Sequence, residues 1–184
     1  YEADLRPAGR FVYELRETKT KEELEALKKS TKITIEIIDE IIKRNVIKPG
    51  KSEREIASEL YREAYIWGEP AFEVIVASGQ NTSNPHHVIS ERKIRKSDVI
   101  YIDFGIRYLT MCSDITRVFV IGDPGKEVFN VYSAIYEAQS EAIKYLRVGE
   151  ECSKPDAVAR DVIKKHGYDP ALFMHSLGHP LGVD

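Results

Sequence analysis

The chain has 184 residues, a mass of 21.0 kDa and 42% hydrophobic residues, enough for one ordinary domain with a buried core. Its 27 basic and 30 acidic residues are interspersed and give a formal charge of -3, which argues against a nucleic-acid ligand. No run approaches the roughly 20 consecutive apolar residues of a membrane span, and no signal peptide opens the chain. The first residue is not methionine, which predicts a cut or processed start. The two cysteines, Cys112 and Cys152, have no paired spacing, which predicts a reducing, cytoplasmic location.

The first half of the chain predicts two helices and a strand. Apolar residues at spacings of three and four indicate a helix over 21–46. Ser52 followed three residues later by Glu55 is a capping-box pattern, which predicts the start of a second helix that ends at Gly68. A short strand is expected over 74–77.

The same order of elements recurs later in the chain. Helices are predicted over 127–146 and 153–166, and the interval from Gly149 to Gly167 equals that from Gly50 to Gly68. A fixed internal interval of this kind indicates a duplicated architecture, although helix–glycine–helix patterns can also match by chance. The pattern predicts two helix–helix–strand halves around a shared sheet.

Two aspartates, Asp103 and Asp114, lie eleven residues apart, and each belongs to a run of strand-forming residues. A hairpin centred between Tyr108 and Leu109 would place the two carboxylates directly opposite each other. Facing side chains are roughly 5 Å apart at Cβ, and like charges at that distance repel unless a cation lies between them. The pair therefore predicts a metal site. The alternative is that each aspartate only ends a strand or caps a turn.

Four of the five histidines fall in two clusters, His86 with His87 and His175 with His179. Histidine is the commonest metal ligand and the usual proton shuttle near neutral pH, although a single histidine is more often structural. Carboxylates combined with an imidazole suit divalent Mn, Co, Fe or Zn, and bridging carboxylates indicate a centre with two metal ions. In such a centre a bridging hydroxide attacks a polarised carbonyl group.

Five motifs, in this order, resemble those of the pita-bread metallopeptidases, a superfamily that includes prolidase, aminopeptidase P, methionine aminopeptidase and creatinase. They are Ser78-Gly79-Gln80-Asn81, Pro85-His86, Asp103-Phe104-Gly105, Ser113-Asp114-Ile115-Thr116-Arg117, and the run from His175 to Gly182. The resemblance covers 17–184 and implies a catalytic domain there, with 1–16 as a leading segment or interdomain remnant. It implies an α+β fold in which two pseudo-symmetric halves surround an antiparallel sheet, with the second half incomplete.

The resemblance also implies roles for individual residues. Asp103 and Asp114 would bridge two divalent metal ions, and His179 would ligate one of them. His86 and His175 would contact the substrate or the transition state. His87 receives no role. Thr116 and Arg117 would give structural support.

The activity implied is that of a metal-dependent exopeptidase cleaving an Xaa-Pro bond, as a dipeptidase or an aminopeptidase, by way of a metal-activated bridging hydroxide. The motif around His86 and the spacing of His175 and His179 favour the proline-peptidase branch over methionine aminopeptidase. The family pattern continues beyond the position of Gly182 to a further histidine and two glutamate ligands, so only three of five expected ligands are present. We therefore expect a truncated piece of a larger, homodimeric enzyme that acts on peptides, and expect the piece to be inactive alone.

Two other functions fit the same motifs. A pita-bread domain can lose catalysis and serve as a binding module for another protein, because a fold does not dictate a function. The filled positions Asp103, Asp114 and His179 speak against that loss. They also speak against creatinase-like chemistry, which the resemblance associates with this fold and which needs no metal.

Overall fold

The structure is a computed structural model that describes residues 9–183. Of the predicted leading segment 1–16, residues 1–8 therefore lie outside the described part of the chain. The described residues form five α-helices, six β-strands and two 3₁₀ helices. The α-helices are α1 (Phe11–Glu17), α2 (Lys21–Lys43), α3 (Glu53–Trp67), α4 (Lys126–Ile143) and α5 (Ser153–Lys165). The strands are β1 (Glu69–Pro70), β2 (Ile75–Ser78), β3 (Val99–Phe104), β4 (Ile106–Tyr108), β5 (Met111–Cys112) and β6 (Ile115–Val120), and the 3₁₀ helices are Gly79–Ser83 and Pro170–Leu172.

Local sequence signals place the helix starts. The Ser52 hydroxyl accepts a bond of 3.1 Å from the Glu55 amide, while the Glu55 carboxylate accepts one of 2.8 Å from the Ser52 amide. This confirms the predicted capping box. Helix α2 ends at Lys43, three residues before the predicted end, because Asn45 adopts a left-handed φ of 52° and the Val46 amide reaches back to the Ile41 carbonyl.

The described residues form two compact units, 9–122 with 180–183, and 123–179. The first unit contains two three-stranded antiparallel sheets, ordered β2-β3-β6 and β1-β4-β5. Its core lies where α2 and α3 pack on these strands, with Ile33, Ile41, Leu60, Ile102 and Phe104 among the fully buried side chains. Burial of these apolar side chains stabilises the packing of α2 and α3 on one face of the strands and leaves the other face of the sheet outside the core.

The turn between β4 and β5 corrects the predicted hairpin. Tyr108 pairs with Met111, so the hairpin is centred between Leu109 and Thr110, one residue later than predicted. Both turn residues have a positive φ, 46° and 76°, as a two-residue type I′ turn requires. Glycine or asparagine usually marks such a turn, and this Leu-Thr pair carries no such signal.

The second unit contains α4, α5 and the 3₁₀ helix Pro170–Leu172. Its helices pack through small side chains, with Ala138 and Ala142 of α4 buried in the same cluster as Ala159 of α5. Both predicted helices of this half are confirmed, and residues 123–179 contain no β-strand. No helix among residues 9–183 combines the length and apolar character that a bilayer crossing requires.

Candidate active site

Asp103 lies on β3, the central strand of the β2-β3-β6 sheet. Side chains alternate along a strand, and on β3 the buried positions are Ile100, Ile102 and Phe104, while Tyr101 and Asp103 are half-buried on the opposite face. The apolar face of the strand packs into the core and thereby turns the Asp103 carboxylate away from it.

Asp114 immediately precedes β6. The strand register pairs Asp103 with Thr116, so the prediction that Asp103 directly faces Asp114 was wrong. The reason is the later turn, which shifts the partner of Asp103 by two residues. Asp114 directly precedes β6, and residues two apart share a face of a strand, so extending the register by one residue lets us expect Asp114 diagonally from Asp103 on the same face, at roughly 7–8 Å.

Two carboxylates on one face of the sheet, as this extended register leads us to expect, would suit a divalent metal ion. Oxygen ligands of this kind suit Mn, Co, Fe or Zn. The Thr116 hydroxyl donates a bond of 2.8 Å to Oδ1 of Asp103 and so orients that carboxylate. Among residues 9–183, no three or more His, Cys, Asp or Glu side chains form a group that could hold a metal ion. The ligand roles remain predictions.

Helix α2 contacts the backbone segment next to Asp114 through a hydrogen bond of Ser113. The buried hydroxyl of Ser113 lies 2.7 Å from the hydroxyl of Thr34 and accepts a bond of 3.1 Å from the Ile106 amide. Gly105 permits this approach, since a Cβ atom there would lie 1.8 Å from the Ser113 carbonyl oxygen. The close packing of these two backbone segments sets the position of Asp114.

His86 lies on an exposed loop in the same unit. The Tyr101 hydroxyl binds this loop, with 2.6 Å to the Asn84 carbonyl oxygen and 3.0 Å to that of Pro85. Tyr101 and Asp103 share a face of β3, so this contact brings the loop to the carboxylate side of the sheet. Burial raises the pKa of Tyr101, and the nearby negative charge of Asp103 adds to the rise.

A buried carboxylate that the sequence did not reveal holds the two ends of the same loop. Glu53 is fully buried. Its Oε1 accepts bonds from the Ser78 amide and hydroxyl and from Asn81 (2.8, 2.7 and 2.9 Å). Its Oε2 lies 2.8 Å from Nε2 of His87 and accepts bonds from the Ser90 amide and hydroxyl (3.2 and 2.6 Å). His87, which received no role from sequence, thus helps to anchor the loop.

The charge of Glu53 is stabilised by these donors. Burial raises the pKa of Glu53, but the hydrogen bonds from Ser90, Ser78, Asn81 and His87 outweigh that effect and lower it to about 2. Sequence alone places Glu53 in the first turn of a helix, where acidic residues commonly interact with the helix dipole, so its burial gave no signal.

An ion pair between Arg92 and Asp98 supports the start of the loop. The guanidinium of Arg92 binds Asp98 through two bonds of 2.7 and 2.9 Å, and it also donates to the Ser78 hydroxyl. Gly79, with a left-handed φ of 53°, lies against this pair, and a Cβ there would lie 2.3 Å from the Arg92 guanidinium.

His175 and His179 belong to the second unit, whereas Asp103, Asp114 and His86 belong to the first. Both histidines are exposed. The His175 ring donates from Nδ1 to the Ser176 carbonyl oxygen at 2.8 Å, and its plane meets the Phe173 ring edge-on, with the ring centroids 4.6 Å apart.

Comparisons with known proteins identify a family and several relatives of this chain. The family model of Metallopeptidase family M24 matches residues 25–184. The Xaa-Pro dipeptidase of Pyrococcus furiosus is 37% identical over 175 residues, which is 94% of this chain and 49% of that protein. The solved structure of the prolidase of Thermococcus sibiricus is 42% identical to this chain with a TM-score of 0.88. The match covers 97% of this chain and 49% of the prolidase chain. The solved structure of the X-Pro aminopeptidase of Thermotoga maritima is 37% identical with a TM-score of 0.86. The match covers 94% of this chain and 49% of the aminopeptidase chain.

These similarities confirm the α+β pita-bread fold implied by the sequence motifs. The chain spans about half the length of the curated relatives it matches. The family match includes Asp103, Asp114 and all five histidines of the chain. The chain therefore belongs to Metallopeptidase family M24, the family of metal-dependent peptidases that its five sequence motifs resemble.

Proposed function

We propose that this chain forms part of a metal-dependent exopeptidase that hydrolyses Xaa-Pro peptide bonds. The observation that supports the proposal most directly is that β3 carries Asp103 and pairs with β6, which begins immediately after Asp114, in a chain that belongs to a metallopeptidase family. The relatives named Xaa-Pro dipeptidase, prolidase and X-Pro aminopeptidase support this substrate class.

In this proposal, Asp103, Asp114 and His179 hold two divalent metal ions. When bound, such ions activate a water molecule as hydroxide near neutral pH and polarise the substrate carbonyl group. The Thr116 hydroxyl keeps Asp103 in one orientation through its bond of 2.8 Å, and Ser113 keeps the backbone of Asp114 in place. This fixed orientation matters because a coordinating side chain that must reorient before it binds the metal ion lowers the affinity for that ion.

His86 and His175 are proposed to contact the substrate. An imidazole can donate a proton or a hydrogen bond to the oxygen that becomes negative as the peptide bond is attacked. Both side chains are exposed and both lie on loops that are anchored by hydrogen bonds, His86 through Tyr101 and His175 through contacts described below.

The test uses the complete gene product that contains this chain. Asp103→Ala and Asp114→Ala should each lower the number of manganese ions bound, counted by native mass spectrometry, and reduce Xaa-Pro hydrolysis to background. Asp39→Ala, at a position on α2, is the matched control and should retain both. Near-normal activity in either variant would sink the metal-site assignment. Comparing Xaa-Pro dipeptides with Xaa-Pro tripeptides then separates a dipeptidase from an aminopeptidase.

Removing the metal separates the proposal from its two alternatives. Dialysis against a chelator should abolish hydrolysis, and added manganese or cobalt should restore it. Hydrolysis that survives complete metal removal would favour creatinase-like chemistry. A metal-loaded protein that hydrolyses neither Xaa-Pro dipeptides nor longer peptides would favour the binding module.

A further inference from the structure

One arginine on α5 binds three carbonyl groups of the segment that leads to His175. The Arg160 guanidinium donates from Nη1 to the carbonyl oxygens of Pro170 (3.1 Å) and Phe173 (2.9 Å), and from Nη2 to that of His175 (2.9 Å). All of these groups lie in the second unit. The planar fork of arginine suits such a set of acceptors, whereas the compact ammonium of lysine does not.

Asp156 completes the contact one helical turn earlier. It binds Nε of Arg160 through Oδ2 at 2.7 Å, and its Oδ1 accepts a bond of 2.8 Å from the Leu177 amide. The hydrogen bond from Arg160 lowers the pKa of Asp156, which keeps the carboxylate charged. Arg160 thus binds backbone carbonyl groups up to and including that of His175, and Asp156 binds the amide group of Leu177, two residues after it.

The same arginine also contacts the side chain that packs on His175. The guanidinium carbon lies 4.9 Å from the centroid of the Phe173 ring, and the opposing contact of Phe173 is the edge-on His175 ring, with centroids 4.6 Å apart. Backbone and ring contacts of Arg160 therefore act on the same imidazole. Cation–π and aromatic contacts of this kind are directional, so they favour one ring orientation.

We propose that Arg160 and Asp156 are positioning residues that set the orientation of His175 toward the substrate. The inference rests on the proposed function, since it requires His175 to contact the substrate. The two side chains are about 31% and 26% exposed, and partly exposed ion pairs add little to global stability. What the pair supplies is order in the loop.

The first experiment is Arg160→Lys in the manganese-loaded complete gene product. We expect kcat to fall about 10- to 100-fold on an Xaa-Pro dipeptide, because a small misplacement of a catalytic group is costly, with a smaller change in KM and an unchanged unfolding midpoint. Arg147→Lys is the matched control, since Arg147 also lies in the second unit but donates locally, to the carbonyl group of Lys144 three residues earlier. The control should retain its activity. A kcat for Arg160→Lys within twofold of the parent would overturn the inference.

A double-mutant cycle distinguishes positioning from general structural support. In a His175→Ala background, Arg160→Lys should cause little further loss, because the group it positions is already gone. An equal fold-loss in both backgrounds would show that Arg160 does not act through His175.

A third measurement is independent of activity. Hydrogen exchange of the Leu177 amide should be faster in Arg160→Lys, since Asp156 loses the partner that holds it in place. Unchanged exchange would contradict the inference. If the parent protein hydrolyses no Xaa-Pro peptide, the proposed function fails, and this exchange measurement alone decides whether Arg160 orders the loop.

Discussion

The hydroxyl of Thr116 donates a hydrogen bond of 2.8 Å to Oδ1 of Asp103 across the pairing of β3 with β6. Thr116 is exposed on the solvent-facing side of its strand, so this hydrogen bond contributes little to the stability of the core. Its effect is to restrict one carboxylate of the proposed metal site. Loss of a group that orients a metal ligand typically lowers metal affinity by about 10- to 100-fold.

Thr116→Val removes this donor while keeping the branched shape that suits a β-strand. We expect a loss of roughly 10- to 100-fold in manganese affinity, measured by calorimetric titration, with little change in the unfolding midpoint. Thr31→Val is the matched control because the Thr31 hydroxyl bonds the Leu27 carbonyl of its own helix, away from the sheet pairing of β3 with β6. An affinity within twofold of the parent would show that Thr116 does not orient Asp103.

Gly105→Ala should destabilise the protein strongly. The new Cβ would lie 1.8 Å from the Ser113 carbonyl oxygen and 2.7 Å from its carbon, so backbone would have to move next to Asp114. Overpacking against a rigid neighbour costs about 1–3 kcal/mol or more. Urea unfolding should show this loss, whereas Gly178→Ala should stay within about 0.5 kcal/mol of the parent, because apart from its chain neighbours no residue among 9–183 lies within 4 Å of the added Cβ. Equal stabilities of the two variants would contradict the close approach.

Acid should remove the stabilisation that Glu53 provides. Its pKa in the folded protein, about 2, lies below the ordinary value of 4.5, so its contribution is fully present above pH 4.5 and is lost as the pH falls toward 2. By linkage, a shift of this size corresponds to a contribution on the order of 3 kcal/mol. The hydrogen bonds to Ser78 and Ser90 are the physical source of that contribution.

Glu53→Gln tests this linkage. The amide cannot accept all the hydrogen bonds that the carboxylate accepts, so the variant should be less stable at pH 7 by several kcal/mol. Its free energy of unfolding should also fall less steeply than that of the parent between pH 4.5 and pH 2. Glu25→Gln, at an exposed position paired with Lys28, should leave the parent's pH dependence unchanged. Parallel curves for Glu53→Gln and the parent would disprove the assignment.

The sequence by itself determined the elements whose signals are local. The capping box of Ser52 and Glu55, the helices α2 to α5 and the order of the five motifs all depend on residues a few positions apart, so they could be predicted. Local signals also identified Asp103 and Asp114 as candidate metal ligands, since charged residues within apolar strands are uncommon. Their metal-binding role remains a prediction.

Only the tertiary structure decided which side chains meet. Asp103 faces Thr116 because the turn at Leu109 and Thr110 adopts positive φ angles without glycine or asparagine to announce it. Glu53 is buried because its partners come from positions up to 37 residues away in the chain. Arg160 likewise meets the His175 loop because the fold brings together residues that are fifteen positions apart in the chain. Such contacts depend on how helices and strands pack, and no pattern of neighbouring residues encodes them.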